Sequence, residues 1–209
     1  MTEAAAHAPG PEAPAFRQTR PYCLASGSPR RAQLLGRLGL RFSVCDPRVA
    51  EEQLPGEEPR AMVQRLARLK AQAVAPARRE CLVLAGDTVV VIQGQVLGKP
   101  GGAQQAQRML ELLSGRSHEV LTGWFLQDGP SGDAASGVER TLVHFRQLPP
   151  DWIGWYSRLP EAWDKAGAYA VQGVGGTMVS GIEGSYSNVV GYPVETIFWQ
   201  LWQRGWLTL

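Results

Sequence analysis

The segment Ser26-Gly27-Ser28-Pro29-Arg30-Arg31 puts small residues, a proline and two guanidinium groups at what reads as the entry to a helix. Ser28 suits the N-cap and Pro29 the first helical position, where a missing N–H is no loss. A strand running through such a turn into a helix leaves backbone N–H groups facing out, and the helix dipole favours an anion there. Arg30 and Arg31 would add forked donors that match phosphate oxygens. Two cations at a helix N-terminus oppose the dipole unless an anion is present. The segment therefore reads either as a phosphate-binding turn or as a capped helix with solvated arginines.

Asp87 is the second group of interest, because it interrupts the apolar run Leu82-Val83-Leu84-Ala85-Gly86-Asp87-Thr88-Val89-Val90-Val91. A carboxylate in a core strand is costly unless it is paired, hydrogen-bonded or bound to a metal. Gly86 beside it permits close approach of a ligand or another backbone. The readings are a functional acid or a salt-bridged core aspartate. Lysine is rare: Lys70, Lys99 and Lys165 are the only three, and arginine supplies the other basic residues. Lys70 flanks an apolar helical stripe beside Val63, Ala67 and Val74, Lys99 lies between a glycine and a proline, and Lys165 follows Asp164. Each is either a compact charge kept for a site or an ordinary snorkelling side chain. Glu51 and Glu52 end an extended segment and could supply oxygen ligands to a divalent cation, or simply be solvated. His118 and His144 read as structural residues of strands. Walker A, G-x-S-x-G and dinucleotide-binding glycine patterns are absent.

The elements that must position these groups follow from periodicity. Tyr22–Ala25 is a short buried strand before the Ser26 turn, and Leu34, Leu35 and Leu38 form one face of the helix after it. Pro59 opens a second helix, with Met62, Leu66, Leu69 and Ala73 as its predicted apolar stripe. Residues 81–92 form a buried strand that turns at 93–95 towards Val96-Leu97. A third helix spans Ala103–Leu113 with Ala106, Met109, Leu110 and Leu113 facing the core. Strands follow near 118–127 and 138–146, separated by a Gly/Ser/Asp-rich loop at 128–137. A helix marked by Trp152, Trp155, Tyr156 and Leu159, a glycine-rich hairpin-like region at 167–184, and a final helix through Val194, Ile197, Phe198, Leu201 and Trp202 complete the chain. This alternation predicts an α/β fold with a sheet covered on both faces.

Composition sets the outer bounds. The 209 residues are 44% hydrophobic and 19% charged, and 21 basic against 19 acidic residues give a net charge of +2. That balance argues against a nucleic-acid binder working through a broad cationic surface. Cys23, Cys45 and Cys81 show no metal-ligand spacing, and three free thiols fit a reducing compartment. No apolar stretch reaches ~18 residues, and the start lacks a basic segment followed by an apolar core, so a cytoplasmic protein with no membrane partner is expected. Residues 1–18 read as a solvated, disordered tail, leaving 19–209 as one domain.

In order along the chain, LASGSPRRAQLL (24–35), LPGEEP (54–59), ARLKAQAV (67–74), AGDTVVV (85–91), LGKPGGAQQAQRMLELLSGRSHEVLTG (97–123), DKAGAYAVQG (164–173) and SNVVGYPVE (187–195) resemble the Maf family of nucleoside triphosphate pyrophosphatases. The resemblance runs from about residue 22 to 203. It implies an elongated two-lobed α/β domain with a central mixed sheet flanked by helices, a cleft between the lobes, and a homodimer. By position, Ser26, Arg30, Arg31, Lys70 and Lys99 would bind substrate phosphates. Asp87 would be the catalytic aspartate, either as general base or as ligand, with Glu51, of a divalent metal cation such as magnesium or manganese. Lys165 and Gln172 would face the base. The motifs look more like the branch hydrolysing dTTP and UTP, between the α- and β-phosphates, than the branch acting on 7-methylguanosine triphosphate. The alternative is a non-catalytic nucleotide-sensing or division-regulating module using the same cleft. Three departures stand out: Arg48-Val49-Ala50-Glu51 lacks two carboxylates common before LPG, Ser185 replaces a frequent Asp, and Ala170 a frequent Gly.

Overall fold

A computed structural model describes residues 16–209. The chain forms two compact units. Among the described residues, the first comprises 16–87, Gly123–Val138 and Gly191–Leu209; the second comprises Thr88–Thr122 and Glu139–Val190. In chain order the strands are β1 (Arg17–Gln18), β2 (Tyr22–Ala25), β3 (Ser43–Cys45), β4 (Leu82–Ile92), β5 (Gln95–Leu97), β6 (Ser117–Asp128), β7 (Ala134–Phe145), β8 (Val179–Glu183) and β9 (Leu207–Thr208). The helices are α1 (Pro29–Arg37), α2 (Pro59–Val74), α3 (Ala103–Leu113), α4 (Pro150–Tyr156), α5 (Tyr186–Val190) and α6 (Val194–Gln203). A mixed seven-stranded sheet runs β3-β2-β4-β6-β7-β8, with β5 added to β4. The α/β expectation holds.

In the first unit β2 pairs in parallel with both β3 and β4. Tyr22 to Ala25 and Leu82 to Ala85 are buried throughout, as parallel strands covered on both faces require. Their register matches Tyr22 with Leu82 and Ala25 with Ala85, so the carboxyl end of β2 lies beside Ala85 while β4 runs on to Ile92. Cys23, Ala25, Ala71, Val74, Val83 and Ala85 pack into one core cluster. All three cysteines are free thiols. Burial pushes the Cys23 thiol up to about 12 and the Cys81 thiol up to about 11, so both are protonated packing groups.

The second unit is built on α3. Ala106, Met109, Leu110 and Leu113 are its buried face, as the spacing predicts. They pack with Val90, Leu97, Val143 and Tyr156. Ile92 pairs with Gln95 across the two-residue turn Gln93-Gly94, which folds β5 back antiparallel on β4. β8 pairs antiparallel with β7.

Several expectations need correction. The buried face of α2 is Met62, Val63, Leu66, Ala67, Lys70, Ala71 and Val74, whereas Leu69 and Ala73 lie on the exposed side. The stripe is rotated because Lys70 is part of it. β6 and β7 extend well into the expected 128–137 loop, leaving only 129–133 outside the strands. Residues 167–184 are not a hairpin: 3-10 turns at Ala166–Ala168 and Val174–Met178 lead into the single strand β8. Arg17–Gln18, placed by the sequence reading in the tail, pair with Leu207–Thr208, and Phe16 meets Phe198 edge-on. The rest of the expected tail, residues 1–15, lies outside the described residues.

Candidate active site

The first unit holds six of the expected residues: Ser26, Arg30, Arg31, Glu51, Lys70 and Asp87. Ala25, at the end of β2, delivers Ser26 into a tight turn in which the Ser26 N–H donates to the Leu24 carbonyl at 3.0 Å. The Ser26 side chain is buried, and its Oγ accepts the Ser28 N–H at 3.2 Å. Ser28 is the N-cap and Pro29 the first helical residue of α1, as expected, but Ser28 makes no side-chain cap. Ser26 provides the hydroxyl of this turn instead.

Arg31 is buried in the first turn of α1. Its Nε donates to the Gly191 carbonyl at 3.0 Å and an Nη to Ser26 Oγ at 3.1 Å. Burial pushes the guanidinium down from its ordinary value, opposed by the charges of Asp87 and Glu51. Such a group is expensive to bury and is held here by its fork of bonds to Gly191 and Ser26. The neighbouring Arg30 is half-buried. Of the two readings of this segment, solvated arginines fail for Arg31.

Asp87 closes the first unit's stretch of β4 and is only 5% exposed. Lys70 of α2, 4% exposed, places its ammonium 2.7 Å from Asp87 Oδ1 and 2.8 Å from Glu51 Oε1. Glu51 lies in the irregular segment between β3 and α2, with its side chain 56% exposed. One buried cation therefore draws a core acid and a loop acid to one point. Asp87 is salt-bridged, as one reading of the sequence required, but Lys70 is no snorkelling residue.

Sequence reasoning missed the Gly191-Tyr192 strap. Gly191 supplies the carbonyl that orients Arg31, and the wholly buried Tyr192 donates its hydroxyl to the Ala85 carbonyl at 3.3 Å. Burial pushes the Tyr192 phenol well above its ordinary range, so it stays a donor. Its ring lies over Gly86: a Cβ there would sit 2.8 Å from Tyr192 Cε2 and 3.2 Å from the Gly123 carbonyl oxygen. Gly86 thus provides the close approach the sequence anticipated, to a protein ring. The available signal was the Gly-Tyr-Pro sequence following Asn188, which carries no chemistry on its face.

Lys99, Lys165 and Gln172 belong to the second unit. Lys99 and Gln172 are exposed. Lys165 donates to the Glu161 carbonyl at 3.1 Å and is paired with Asp164. The Gly167 N–H donates to the Gly98 carbonyl at 3.2 Å, tying the GKP and DKAG stretches together. His118 is structural as expected, buried against Phe145 and Tyr169, with Nε2 2.8 Å from the Tyr169 hydroxyl.

Among the described residues no group of three or more metal-ligating side chains exists. Asp87 and Glu51 nevertheless converge on a single cation, Lys70. Two carboxylates are a donor set that fits magnesium or manganese when phosphate oxygens and water complete the shell. No helix among the described residues is long and apolar enough to cross a membrane.

The first unit thus combines a buried arginine fork at a helix entry with a lysine that bridges an acid inside β4 and an acid of the loop before α2. Comparison with known proteins gives the lineage: residues 21–203 match the Maf-like protein family, and the chain belongs to it. A dTTP/UTP pyrophosphatase of Syntrophus aciditrophicus (strain SB) is 45% identical over 190 residues, covering 91% of this chain and 93% of the relative. The dTTP/UTP pyrophosphatases of Anaeromyxobacter sp. (strain Fw109-5) and Moorella thermoacetica are 51% and 49% identical, over 82% and 83% of this chain and 83% and 90% of the relatives.

Proposed function

We propose that this protein is a cytoplasmic nucleoside triphosphate pyrophosphatase that hydrolyses dTTP, UTP and related pyrimidine nucleotides to the nucleoside monophosphate and pyrophosphate. The observation that carries the reading is the buried Arg31, Lys70 and Asp87 constellation in a chain whose full-length relatives are named dTTP/UTP pyrophosphatases.

Attack by water on the α-phosphorus forms a new P–O bond and breaks the bond to the bridging oxygen, releasing pyrophosphate. Ser26, Arg30 and Arg31 bind phosphate oxygens at the entry of α1, with Arg31 pre-oriented by Gly191 so that little ordering is left to do on binding. Asp87 takes the proton of the attacking water; Lys70 orients that carboxylate before substrate binds and serves the phosphates once the nucleotide is in place. Lys99 adds positive charge for the phosphates. Lys165 and Gln172 serve the base, Gln172 through an amide that both donates and accepts. A divalent cation, Mg or Mn, would be held by Asp87 and Glu51 with the phosphates, and there it would neutralise charge on the triphosphate.

A nucleotide panel with magnesium, read by pyrophosphate and monophosphate release, tests the proposal. Turnover of dTTP and UTP is expected, and Asp87→Asn should lower it at least ~10²-fold, the usual contribution of a positioned base. Saturable nucleotide binding without turnover would instead support the sensing module. Turnover unchanged in Asp87→Asn would remove Asp87 from the chemistry.

A further inference from the structure

We propose that Lys70 is the resident counter-cation of the acid pair, and that a divalent cation engages Asp87 and Glu51 only by displacing its ammonium towards the substrate phosphates. This makes metal binding and nucleotide binding mutually dependent, and it rests on the reading of the site given above.

The argument starts from the point of convergence. Lys70 Nζ sits 2.7 Å from one oxygen of Asp87 and 2.8 Å from one oxygen of Glu51. A cation bridging these two carboxylates would compete for the same place. Before nucleotide binds, charge opposes sharing: the Lys70 ammonium and the nearby Arg31 guanidinium already balance the two carboxylates, whereas adding a dication would set four positive charges against two. At contact distances inside a protein such an excess is strongly unfavourable. One cation must leave.

Lys70 can yield its position only within limits. Its stem belongs to the buried face of α2, beside Leu66, Ala67 and Val74, so the helix anchors it and only the end of the side chain can swing. With 4% of the residue exposed, the displaced ammonium needs a new anionic partner close by. The triphosphate is that partner. Glu51 follows the same logic from the other side. It is 56% exposed in an irregular segment, and the Lys70 ammonium is the group that draws it to Asp87. Once Lys70 turns to the phosphates, both carboxylates are released to the metal. Coupling of this kind is reciprocal: a nucleotide that accepts the lysine must tighten the metal by the factor by which the metal tightens the nucleotide.

Binding of Mn²⁺ to the full chain, followed by the electron paramagnetic resonance signal of the free ion, tests this without turnover. Wild type is expected to bind Mn²⁺ weakly on its own, and at least tenfold more tightly with an α,β-methylene analogue of dUTP that cannot be cleaved. Lys70→Met should bind Mn²⁺ at least tenfold more tightly than wild type without nucleotide, and the analogue should tighten it by a clearly smaller factor than in wild type, because the phosphates still ligate the metal but no ammonium has to be displaced. Lys70→Arg, which keeps a cation, should stay as weak as wild type. Equal Mn²⁺ affinity in wild type and Lys70→Met, or binding by neither, overturns the proposal. If Lys70→Met does not fold, the wild-type measurement decides: Mn²⁺ affinity indifferent to the analogue is equally fatal. A protein that releases pyrophosphate from dTTP yet fails these tests refutes the exchange and leaves the activity standing. Absence of pyrophosphate release refutes the activity whatever Mn²⁺ does.

Discussion

Replacing Gly86 with alanine probes the contact that joins the acid strand to its strap. The new methyl would stand 2.8 Å from Cε2 and 3.0 Å from Cδ2 of Tyr192, and 3.2 Å from the Gly123 carbonyl oxygen. Neither neighbour is a flexible side-chain end: one is a fully buried ring, the other a strand backbone. Forcing a methylene-sized group into such packing costs about 1–3 kcal/mol. A displaced Tyr192 also loses its bond to the Ala85 carbonyl, worth about 1 kcal/mol. The sum centres near 3 kcal/mol, which for a chain of this length lowers Tm by about 6–12 °C. Thermal unfolding of wild type, Gly86→Ala, Tyr192→Leu and the double variant reads it directly. Because leucine vacates the space the methyl needs, the double variant should recover at least ~1 kcal/mol relative to additivity. Pyrophosphate release should fall in Gly86→Ala, since Asp87 is the next residue. A Gly86→Ala protein within ~0.5 kcal/mol of wild type, or strict additivity, refutes the packing argument.

Two further outcomes are expected. Arg31→Lys removes both arms of the fork, to Gly191 and Ser26, which an ammonium cannot reproduce; KM for nucleotide should rise at least ~10-fold and Tm should fall, and kinetics and melts unchanged from wild type would contradict the assignment. His118 is held neutral by burial, its pKa pushed down from 6.5 to about 4. As pH drops below 6.5 the unfolded chain takes up a proton that the native state refuses, so stability is lost until pH reaches about 4, where the native imidazole also protonates. The loss across that window is on the order of 3 kcal/mol, and urea titrations of His118→Gln should show a flatter dependence there than wild type.

Where the sequence was read correctly, a single local rule decided the outcome. The core face of α3 is an unbroken amphipathic stripe with no charged member, so spacing alone assigned it. The same rule misplaced the stripe of α2, because a lysine at its centre counts as polar until its partners are known, and Glu51 and Asp87 come from separate segments. The Gly, Ser and Asp content at the start of β7 predicts a loop. Gly137 is there for packing: a Cβ would lie 2.5 Å from Cζ2 of Trp124 on β6. The glycines of 173–176 misled similarly, since Gly175 makes room for the Tyr156 hydroxyl and Gly176 for the Val171 carbonyl. At the site, the turn and the acid were legible because charge in an apolar context is conspicuous. Tyr192 was not, because a tyrosine whose task is to press on a glycine leaves no mark in composition or period.

The matched register of β2 and β4, Ala25 beside Ala85, has a consequence for divergence. It makes the main-chain ladder a ruler: the offset between the Ser26 turn and Asp87 is measured in backbone bonds, indifferent to which apolar residues fill the rungs. Side chains along both strands are therefore free to drift among descendants, while gain or loss of a single residue in either strand would slip the ladder and pull turn and acid out of step.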